Sequence, residues 1–238
     1  MTKTYLEPVE VEKLEDASEY LRDRLLVRLL FRTGCRISEA LGISVDDIDF
    51  NRGIVTIQHL KARVRLSCPE CHTRLSRTAS FCPGCGQKVE KAVAEEKEHR
   101  RQRTLPLDRD TLTMMKEYID RGGSVSRNGS KLLFGIRRRQ ASQIVSELAV
   151  KVGIEDLANP ETGKIHGVSP HRLRDAFAIM AVKKNDTGDG IRLLHEHLGH
   201  QSIVTTMKYR KVAGEEHREW YENLWEGGKE DGQVRQSQ

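Results

Sequence analysis

The stretch of sequence that decides the fold lies near the end of the chain and reads Leu198-Gly199-His200-Gln201-Ser202-Ile203-Val204-Thr205-Thr206-Met207-Lys208-Tyr209. Its apolar spacing predicts two short helices, over 190–198 and 203–209, with His200 between them. Tyr209 follows His200 by nine residues. Taken alone, Tyr209 is also compatible with an ordinary aromatic residue at a helix end. A functional role for His200 and Tyr209 is therefore indicated only in combination with residues earlier in the chain.

Two upstream segments contribute two arginines and a second histidine: Ser169-Pro170-His171-Arg172-Leu173-Arg174, and far upstream Thr33-Gly34-Cys35-Arg36-Ile37-Ser38-Glu39. A leucine stripe predicts a helix over 18–32, and Gly34 suits the position after its end because glycine tolerates positive φ. A short helix is predicted from Ser38, so Arg36 falls between two helices. Pro170 is favoured in the first turn of a helix, here predicted over 170–183.

The order of these residues closely resembles the order of the motifs in the tyrosine recombinases, also called the phage integrase family. The family's Thr-Gly-x-Arg-x-Ser-Glu motif matches at Arg36, its His-x-x-Arg box at His171 and Arg174, and its Leu-Gly-His box at His200, with the nucleophile at Tyr209. The resemblance implies an α+β fold, a mainly helical catalytic domain with a small antiparallel sheet. It also implies an enzyme that cuts and rejoins DNA through a phosphotyrosine link.

The chemistry implied by the resemblance suits these residue types. Guanidinium groups pair with phosphate oxygens through forked hydrogen bonds, so Arg36 and Arg174 are expected to bind the nonbridging oxygens of the scissile phosphate. Tyr209 would attack phosphorus to give a 3′-phosphotyrosine, with His171 as general base and His200 donating a hydrogen bond to a nonbridging oxygen. Because two arginines take the place of metal ions, no catalytic metal or nucleotide is implied.

The leaving 5′ oxygen also needs a proton, which in the family comes from a lysine in a β-hairpin. Lys61 matches that lysine best, since it follows a β-branched, alternating stretch that predicts a strand over 54–60. An insertion interrupts the hairpin beside Lys61, and three lysines within it are alternatives: Lys88, Lys91 and Lys97.

The insertion separates the strand over 54–60 from a second predicted strand over 103–107, a gap too long for a hairpin loop. It holds two cysteine pairs, Cys68-Pro69-Glu70-Cys71 and Cys82-Pro83-Gly84-Cys85. Four thiolates in two close pairs suit one structural, tetrahedral Zn²⁺, so the segment resembles a zinc ribbon. Four unliganded cysteines are the alternative. The haem-attachment pattern that also fits Cys68 to His72 leaves the second pair unexplained.

These patterns predict a discontinuous catalytic domain over 1–226, formed by about 1–63 and 101–226, a ribbon over 64–100, and a disordered tail over 227–238. Full-length family members usually carry an N-terminal core-binding domain, whereas about 17 residues precede the first helix predicted here. The chain therefore resembles a catalytic domain alone. It also departs from a family-typical Leu-Arg-His, which reads Leu173-Arg174-Asp175, at a position to which the resemblance assigns no chemistry.

The charge of the chain indicates a polyanionic partner, here double-stranded DNA. The net charge is +5 and the isoelectric point near 9.0. Eleven basic and five acidic residues lie between 61 and 103, so the excess is concentrated around the insertion. We expect the ribbon to contact DNA and to replace part of the clamp around DNA that the core-binding domain completes in full-length family members. A purely structural role, a protein-docking role, and a charged surface that is simply solvated remain alternatives.

Membrane and export signals are not expected. The chain has no run of 18 apolar residues, and residues 1–8 lack the apolar stretch of a signal peptide. The predicted location is the cytoplasm, with no membrane association, where cysteines stay reduced and are available to a metal.

The leading function is site-specific strand exchange, in integration or excision. The resemblance implies a homotetramer on paired DNA sites, and residues 215–225 could form a helix exchanged between protomers or one packed on its own domain. Two other classes remain: a noncatalytic zinc-ribbon accessory protein on a recombinase scaffold, and an enzyme similar to type IB topoisomerases that relaxes DNA.

Overall fold

The computed structural model describes residues 3–76, 78–127, 129–159 and 162–212. Its helices are α1 (Pro8–Asp16), α2 (Leu21–Thr33), α3 (Ile37–Ala40), α4 (Arg109–Asp120), α5 (Arg138–Lys151), α6 (Pro170–Lys184), α7 (Gly188–Leu198) and α8 (Ile203–Val212), with a 3-10 turn at Val45–Asp47. Among the residues described, no helix has the length and apolar character needed to span a bilayer.

The strands form small antiparallel sheets, as the sequence predicted. They are β1 (Ile48–Asp49), β2 (Ile54–Ser67), β3 (Val93–Pro106), β4 (Val125–Arg127), β5 (Ser130–Leu132), β6 (Leu157–Ala158) and β7 (Ile165–His166). The largest sheet has the order β1-β2-β3, and the other two are hairpins. Helices and small sheets together confirm the predicted α+β class.

The core is built around α2, whose leucines are buried on several sides. This helix packs against α1, α4 and α6, so its buried apolar surface is wide and stabilises the domain through the hydrophobic effect. Gly34 ends α2 in the left-handed conformation, with φ of 55°. Phe177 of α6 lies against Gly34, so a Cβ there would be strained by its φ and would also collide with the ring. This close approach brings the end of α2 next to α6.

The hairpin of β2 and β3 is longer than predicted. Its register runs from Ile54 opposite Pro106 to Ser67 opposite Val93, whereas the sequence indicated strands over 54–60 and 103–107. Backbone pairing continues beyond the residues that carry an apolar alternation, so the pattern did not reveal the strand ends. The cysteine-bearing segment is carried at the tip of this hairpin.

Three other elements differ from the sequence prediction. Helix α1 was missed because it is only nine residues long, although Pro8 stands at its first turn and the Glu10 carboxylate accepts from the Glu7 amide at 2.8 Å. The Gly/Ser-rich composition of residues 122–129 predicts a loop, whereas β4 lies within this stretch and pairs with β5. The β6–β7 hairpin was also missed. Residues 215–225, for which a helix was expected, and the predicted tail over 227–238 lie outside the described residues.

Candidate active site

The predicted site residues converge on one cavity of about 820 Å³. Arg36, His171, Arg174, His200 and Tyr209 all line it, although they come from three separate regions of the chain. The turn between α2 and α3 supplies the first, α6 the next two, and the region from the end of α7 through α8 the last two. The fold therefore brings these five predicted site residues together around one cavity.

Arg174 is the buried centre of this cluster, with 2% of its surface exposed. Its Nη1 donates to the Gly34 carbonyl at 2.6 Å, and its Nη2 donates to the Leu198 carbonyl at 2.9 Å. Those carbonyls lie at the C-terminal ends of α2 and α7. The guanidinium thus fixes the turn that carries Arg36 against the turn that carries His200 while facing the cavity.

Arg36 is held by a carboxylate that sequence reasoning left without a role. Glu39 Oε2 accepts from the Arg36 backbone amide at 2.8 Å, and Oε1 accepts from Arg36 Nη1 at 3.0 Å. Arg103 of β3 donates to the same two oxygens at 2.7 and 3.2 Å, and its Nε donates to the His197 carbonyl at 2.9 Å. Glu39 therefore links the turn of Arg36 to the sheet and orients its guanidinium toward the cavity.

The Glu39 carboxylate is buried, which alone would raise its pKa, but the hydrogen bonds and charge of Arg103, followed by those of Arg36, lower that pKa to about 2. Because the folded-state pKa is below the ordinary value of 4.5, this ionised carboxylate stabilises the fold above pH 4.5. Its contribution is lost as the pH falls from 4.5 through about 2.

We expect Glu39→Gln to lower the free energy of unfolding by about 3 kcal/mol at pH 7, because the amide retains the shape but leaves Arg103 buried without its counter-charge. Urea unfolding at pH 7 and at lower pH values checks this, with Glu147→Gln on the exposed surface of α5 as the control. The difference between wild type and Glu39→Gln should shrink as the pH falls below 4.5. An equal difference at every pH would contradict the role of the charge.

His200 is buried beside Thr206 and Tyr209. Its Nδ1 lies 2.9 Å from the hydroxyl oxygen of Thr206, a fully buried residue, and its ring stacks on that of Tyr209 with 6.1 Å between centroids. Burial, reinforced by the positive charges of Arg174 and Arg36, lowers the pKa of His200 to about 4. At neutral pH the imidazole is therefore uncharged and can donate only one hydrogen bond.

The Tyr209 hydroxyl donates to Asp175 Oδ1 at 3.1 Å. Burial raises the pKa of this phenol above its ordinary range; the Asp175 carboxylate raises it further and the Arg174 guanidinium opposes the shift. The phenol is protonated in this state, so a nucleophilic role requires a proton acceptor within reach.

The other two predicted site residues are placed differently. The His171 side chain is 73% exposed at the cavity, and its Nε2 lies 3.7 Å from the Asp175 oxygen that accepts from Tyr209. The backbone of Lys61 lies in β2 opposite His99, and its side chain falls outside the part of the chain that the structure describes. The assignment of Lys61 as general acid stays a prediction, and Lys88, Lys91 and Lys97 remain the alternatives.

Four cysteines come together at the hairpin tip, away from the cavity: Cys68, Cys71, Cys82 and Cys85. All four sulfur atoms lie within 4.8 Å of one another. The Cys68–Cys85 and Cys71–Cys82 sulfur pairs are 3.7 and 3.4 Å apart. Four sulfurs at 2.3 Å from a zinc ion would be separated by about 3.8 Å, so the spacing suits a tetrahedral Zn²⁺ site.

Sequence reasoning missed three residues of the site: Arg103, Thr206 and Asp175. Arg103 supports Glu39 from a strand 64 positions away, and Thr206 lies beside two histidines, 2.9 Å from His200 and 3.3 Å from His195. Asp175 was noted only as a departure from the family pattern. Because Thr206 lies between His200 and Tyr209 in the sequence, its place in the site could have been predicted. The contacts of Arg103 and Asp175 join distant segments and become evident only in the tertiary fold.

The family model described as the phage integrase family matches residues 4–77 and 87–216 of the chain. The interval left unmatched lies inside the cysteine-bearing insertion. Among curated proteins, the chain is similar to tyrosine recombinase XerD of Mycobacterium leprae (strain TN), with 30% identity over 234 residues. That alignment covers 93% of this chain and 57% of the relative, so the chain spans somewhat over half the length of the curated relatives it matches.

Solved structures show the same fold at low identity. The crystal structure of XerH site-specific recombinase bound to palindromic difH substrate, a post-cleavage complex, matches with a TM-score of 0.60 and 21% identity over 95% of this chain and 54% of that one. The catalytic domain of bacteriophage HP1 integrase matches with a TM-score of 0.52 and 18% identity, covering 89% of each chain. The second match extends across most of a catalytic domain.

Proposed function

The chain belongs to the phage integrase family, and on that basis we propose that it cuts and rejoins double-stranded DNA at specific sites through a 3′-phosphotyrosine formed by Tyr209. The observation that carries the proposal is the convergence of two guanidinium groups, a neutral imidazole and a partly buried phenol on one cavity. Each group supplies a different requirement of phosphoryl transfer.

The arginines supply electrostatic stabilisation. Arg174 is buried and anchored through two carbonyls, and Arg36 is oriented by Glu39, so both cations are fixed before a phosphate enters. A pentacoordinate phosphorus carries more negative charge on its oxygens than the ground-state diester does, and preorganised donors stabilise that extra charge. Arg36 and Arg174 are therefore proposed to bind the nonbridging oxygens, which requires no metal ion.

His200 supplies a neutral hydrogen-bond donor. In the tautomer that carries its single ring proton on Nε2, His200 accepts at Nδ1 from the Thr206 hydroxyl, 2.9 Å away, and can donate from Nε2 to a nonbridging oxygen. We propose that this tautomer is the one that acts. Tyr209 attacks phosphorus, and we retain His171 as its proposed base. Lys61 is proposed to protonate the leaving 5′ oxygen. Rejoining follows the same path in reverse, so no nucleotide cofactor is required.

Covalent trapping tests this function. The protein is incubated with supercoiled plasmid carrying candidate sites, quenched with detergent, and assayed for protein-linked DNA whose phosphotyrosine is mapped by mass spectrometry. A site-dependent adduct at Tyr209 is the expected result. Clear DNA binding without any adduct would favour the noncatalytic accessory protein, and relaxation without site dependence would favour an enzyme of the topoisomerase type.

The ribbon is proposed to bind one structural Zn²⁺ through Cys68, Cys71, Cys82 and Cys85. Two features besides the sulfur spacing fit this group. The Gly84 amide points at Cys82 Sγ at 3.3 Å, as in knuckles whose amides face thiolate sulfur. The buried apolar cluster is also small, centred on Leu75 and two of the cysteines, so a metal would supply much of the segment's folding energy.

We also propose that the ribbon binds DNA, because the sequence over 61–103 carries eleven basic and five acidic residues and because Arg103 of the same hairpin anchors Glu39. Replacing residues 64–100 by a short turn should abolish zinc binding and lower DNA affinity about tenfold or more, since several phosphate contacts would be lost. Metal analysis and fluorescence anisotropy at fixed salt concentration measure the two effects. A matched Cys82→Ser variant tests whether loss of the metal alone weakens binding.

Unchanged DNA affinity in the deletion variant, with the catalytic domain still folded, would contradict the DNA-binding role and favour protein docking. One zinc per wild-type chain is expected; none would contradict the metal site. A homotetramer on paired sites and a cytoplasmic location remain predictions, and residues 215–225, on which protomer exchange depends, lie outside the described residues.

A further inference from the structure

The hydroxyl of Tyr209, the proposed nucleophile, is hydrogen-bonded to an ionisable group, the Asp175 carboxylate. Tyr209 donates to Asp175 Oδ1 across the interface between α8 and α6, at 3.1 Å. Asp175 directly follows Arg174 in α6, so the carboxylate and the guanidinium project from neighbouring positions toward the same phenol. The reacting oxygen thus lies beside both an anion and a cation.

The carboxylate is better placed than the imidazole to receive the phenolic proton. Asp175 is 13% exposed in its side chain, whereas His171 is 73% exposed. His171 Nε2 lies 3.7 Å from Asp175 Oδ1, so the imidazole is beside the oxygen that Tyr209 already contacts. Arg172 Nη1 lies 3.5 Å from the other carboxylate oxygen, Oδ2.

We infer that Asp175 is a further catalytic residue, whose carboxylate takes the proton of Tyr209 as the phenol attacks DNA. The inference rests on the proposed function and refines its base assignment: His171 acts through Asp175 rather than on the phenol directly.

The step balances without any added reagent. The O–H bond of Tyr209 breaks, its proton passes to Asp175 Oδ1, and the oxygen's electron pair forms the new bond to phosphorus. The bond from phosphorus to the 5′ oxygen breaks with its electron pair, and that oxygen is protonated by the general acid. In the reverse reaction the protonated Asp175 returns its proton to the departing phenolate.

A concerted transfer is what this geometry requires. Burial and the adjacent carboxylate disfavour a free phenolate, so the proton must leave as the bond to phosphorus forms. An acceptor already hydrogen-bonded to the phenol meets that requirement. The nearby guanidinium groups of Arg172 and Arg174 balance the charge of the carboxylate before the phosphate arrives.

The test compares adduct formation by wild type, Asp175→Asn and Asp175→Ala on a nicked DNA substrate that traps the covalent complex. Asp175→Asn retains a hydrogen-bond acceptor but cannot take a proton, so we expect adduct formation to slow about 10²-fold with unchanged DNA affinity. Added formate should restore part of the rate of Asp175→Ala, by occupying the vacated space, and should leave Asp175→Asn unaffected.

Asp186→Asn is the matched control, because Asp186 also pairs with a side chain of α8, Arg210 at 3.1 Å, but away from the phenol. Its rate should equal that of wild type. Thermal unfolding of each variant verifies the fold.

Four outcomes separate the ideas. Slow Asp175→Asn together with formate rescue of Asp175→Ala supports proton transfer to Asp175. An Asp175→Asn rate equal to or above that of wild type overturns the inference while leaving the phosphotyrosine mechanism intact. A loss that formate does not restore overturns proton transfer in favour of positioning alone. No adduct from wild type defeats the proposed function and this inference with it.

Discussion

Replacing Tyr209 with phenylalanine is expected to abolish covalent protein–DNA adducts while leaving the fold and DNA binding intact. The substitution removes the atom proposed to attack phosphorus and one hydrogen bond, to Asp175. The ring remains, so its stacking on His200 and its packing against the apolar cluster of α6 and α7 are preserved. We therefore expect the free energy of unfolding to change by no more than about 1.5 kcal/mol.

The measurement is detergent-quenched trapping on site-bearing DNA, with anisotropy run in parallel on the same substrate. Tyr118→Phe is the matched control, since Tyr118 is buried in the core on α4, where it packs near Phe134. That variant should form adducts at the wild-type rate. Adducts that persist in Tyr209→Phe would show that another residue is the nucleophile and would overturn the proposed mechanism.

Several elements of the fold could be predicted because they depend on local chemistry. The leucine stripe of α2 is repeated at helical spacing, and Gly34 takes the left-handed conformation that ends the helix. Asp108 caps α4, accepting from the Thr111 amide at 3.0 Å. Pro170 stands at the start of α6. In each case the residue that sets the boundary acts on its own backbone or on a neighbour a few positions away.

The candidate site was predictable as a set of residues but not as a network. Arg36, His171, Arg174 and His200 were identified from the order of motifs, whereas the groups that hold them were not. Glu39 is bound by a strand residue 64 positions away, and Asp175 is contacted by a tyrosine 34 positions away. Such partners depend on how helices pack and on which strand positions face them, which the pattern of one segment does not contain.

The long hairpin illustrates the same limit at the level of secondary structure. Its outer part is specified by a backbone ladder rather than by an apolar face, and an apolar alternation was the signal that predicted its inner part. The cysteine pairs were informative for the opposite reason. Two knuckles ten residues apart require little tertiary context to meet, and the structure brings their sulfurs together at the hairpin tip.

Arg174→Lys is expected to reduce both stability and the rate of adduct formation. Some N–H groups of the Arg174 guanidinium hold the fold together, and others are proposed to bind the phosphate. Two nitrogens are committed to the Gly34 and Leu198 carbonyls at 2.6 and 2.9 Å, and the planar fork still presents further donors. A lysine ammonium is one point on a flexible chain and cannot span both carbonyls and a phosphate. At least one buried carbonyl is then left unsatisfied, costing about 1–3 kcal/mol of stability.

The catalytic loss should exceed the loss of stability. Removing a preorganised donor from a transition-state oxyanion costs about 10²–10³-fold in rate, so adduct formation by Arg174→Lys should fall by that factor at a temperature where the variant remains folded. DNA affinity should change much less, because many other phosphate contacts sustain it. Single-turnover trapping, anisotropy and thermal unfolding separate the three effects.

Arg192→Lys is the control for Arg174→Lys. Arg192 lies on the exposed surface of α7, where it pairs with Asp189 and Glu196 at 3.4 and 2.9 Å, so its replacement should leave the adduct rate and the unfolding temperature close to those of wild type. A wild-type adduct rate in Arg174→Lys would show that this guanidinium is structural only. A folded Arg174→Lys protein that binds DNA yet attacks slowly would place the buried cation at the phosphate, because anchoring two helix ends does not by itself accelerate attack.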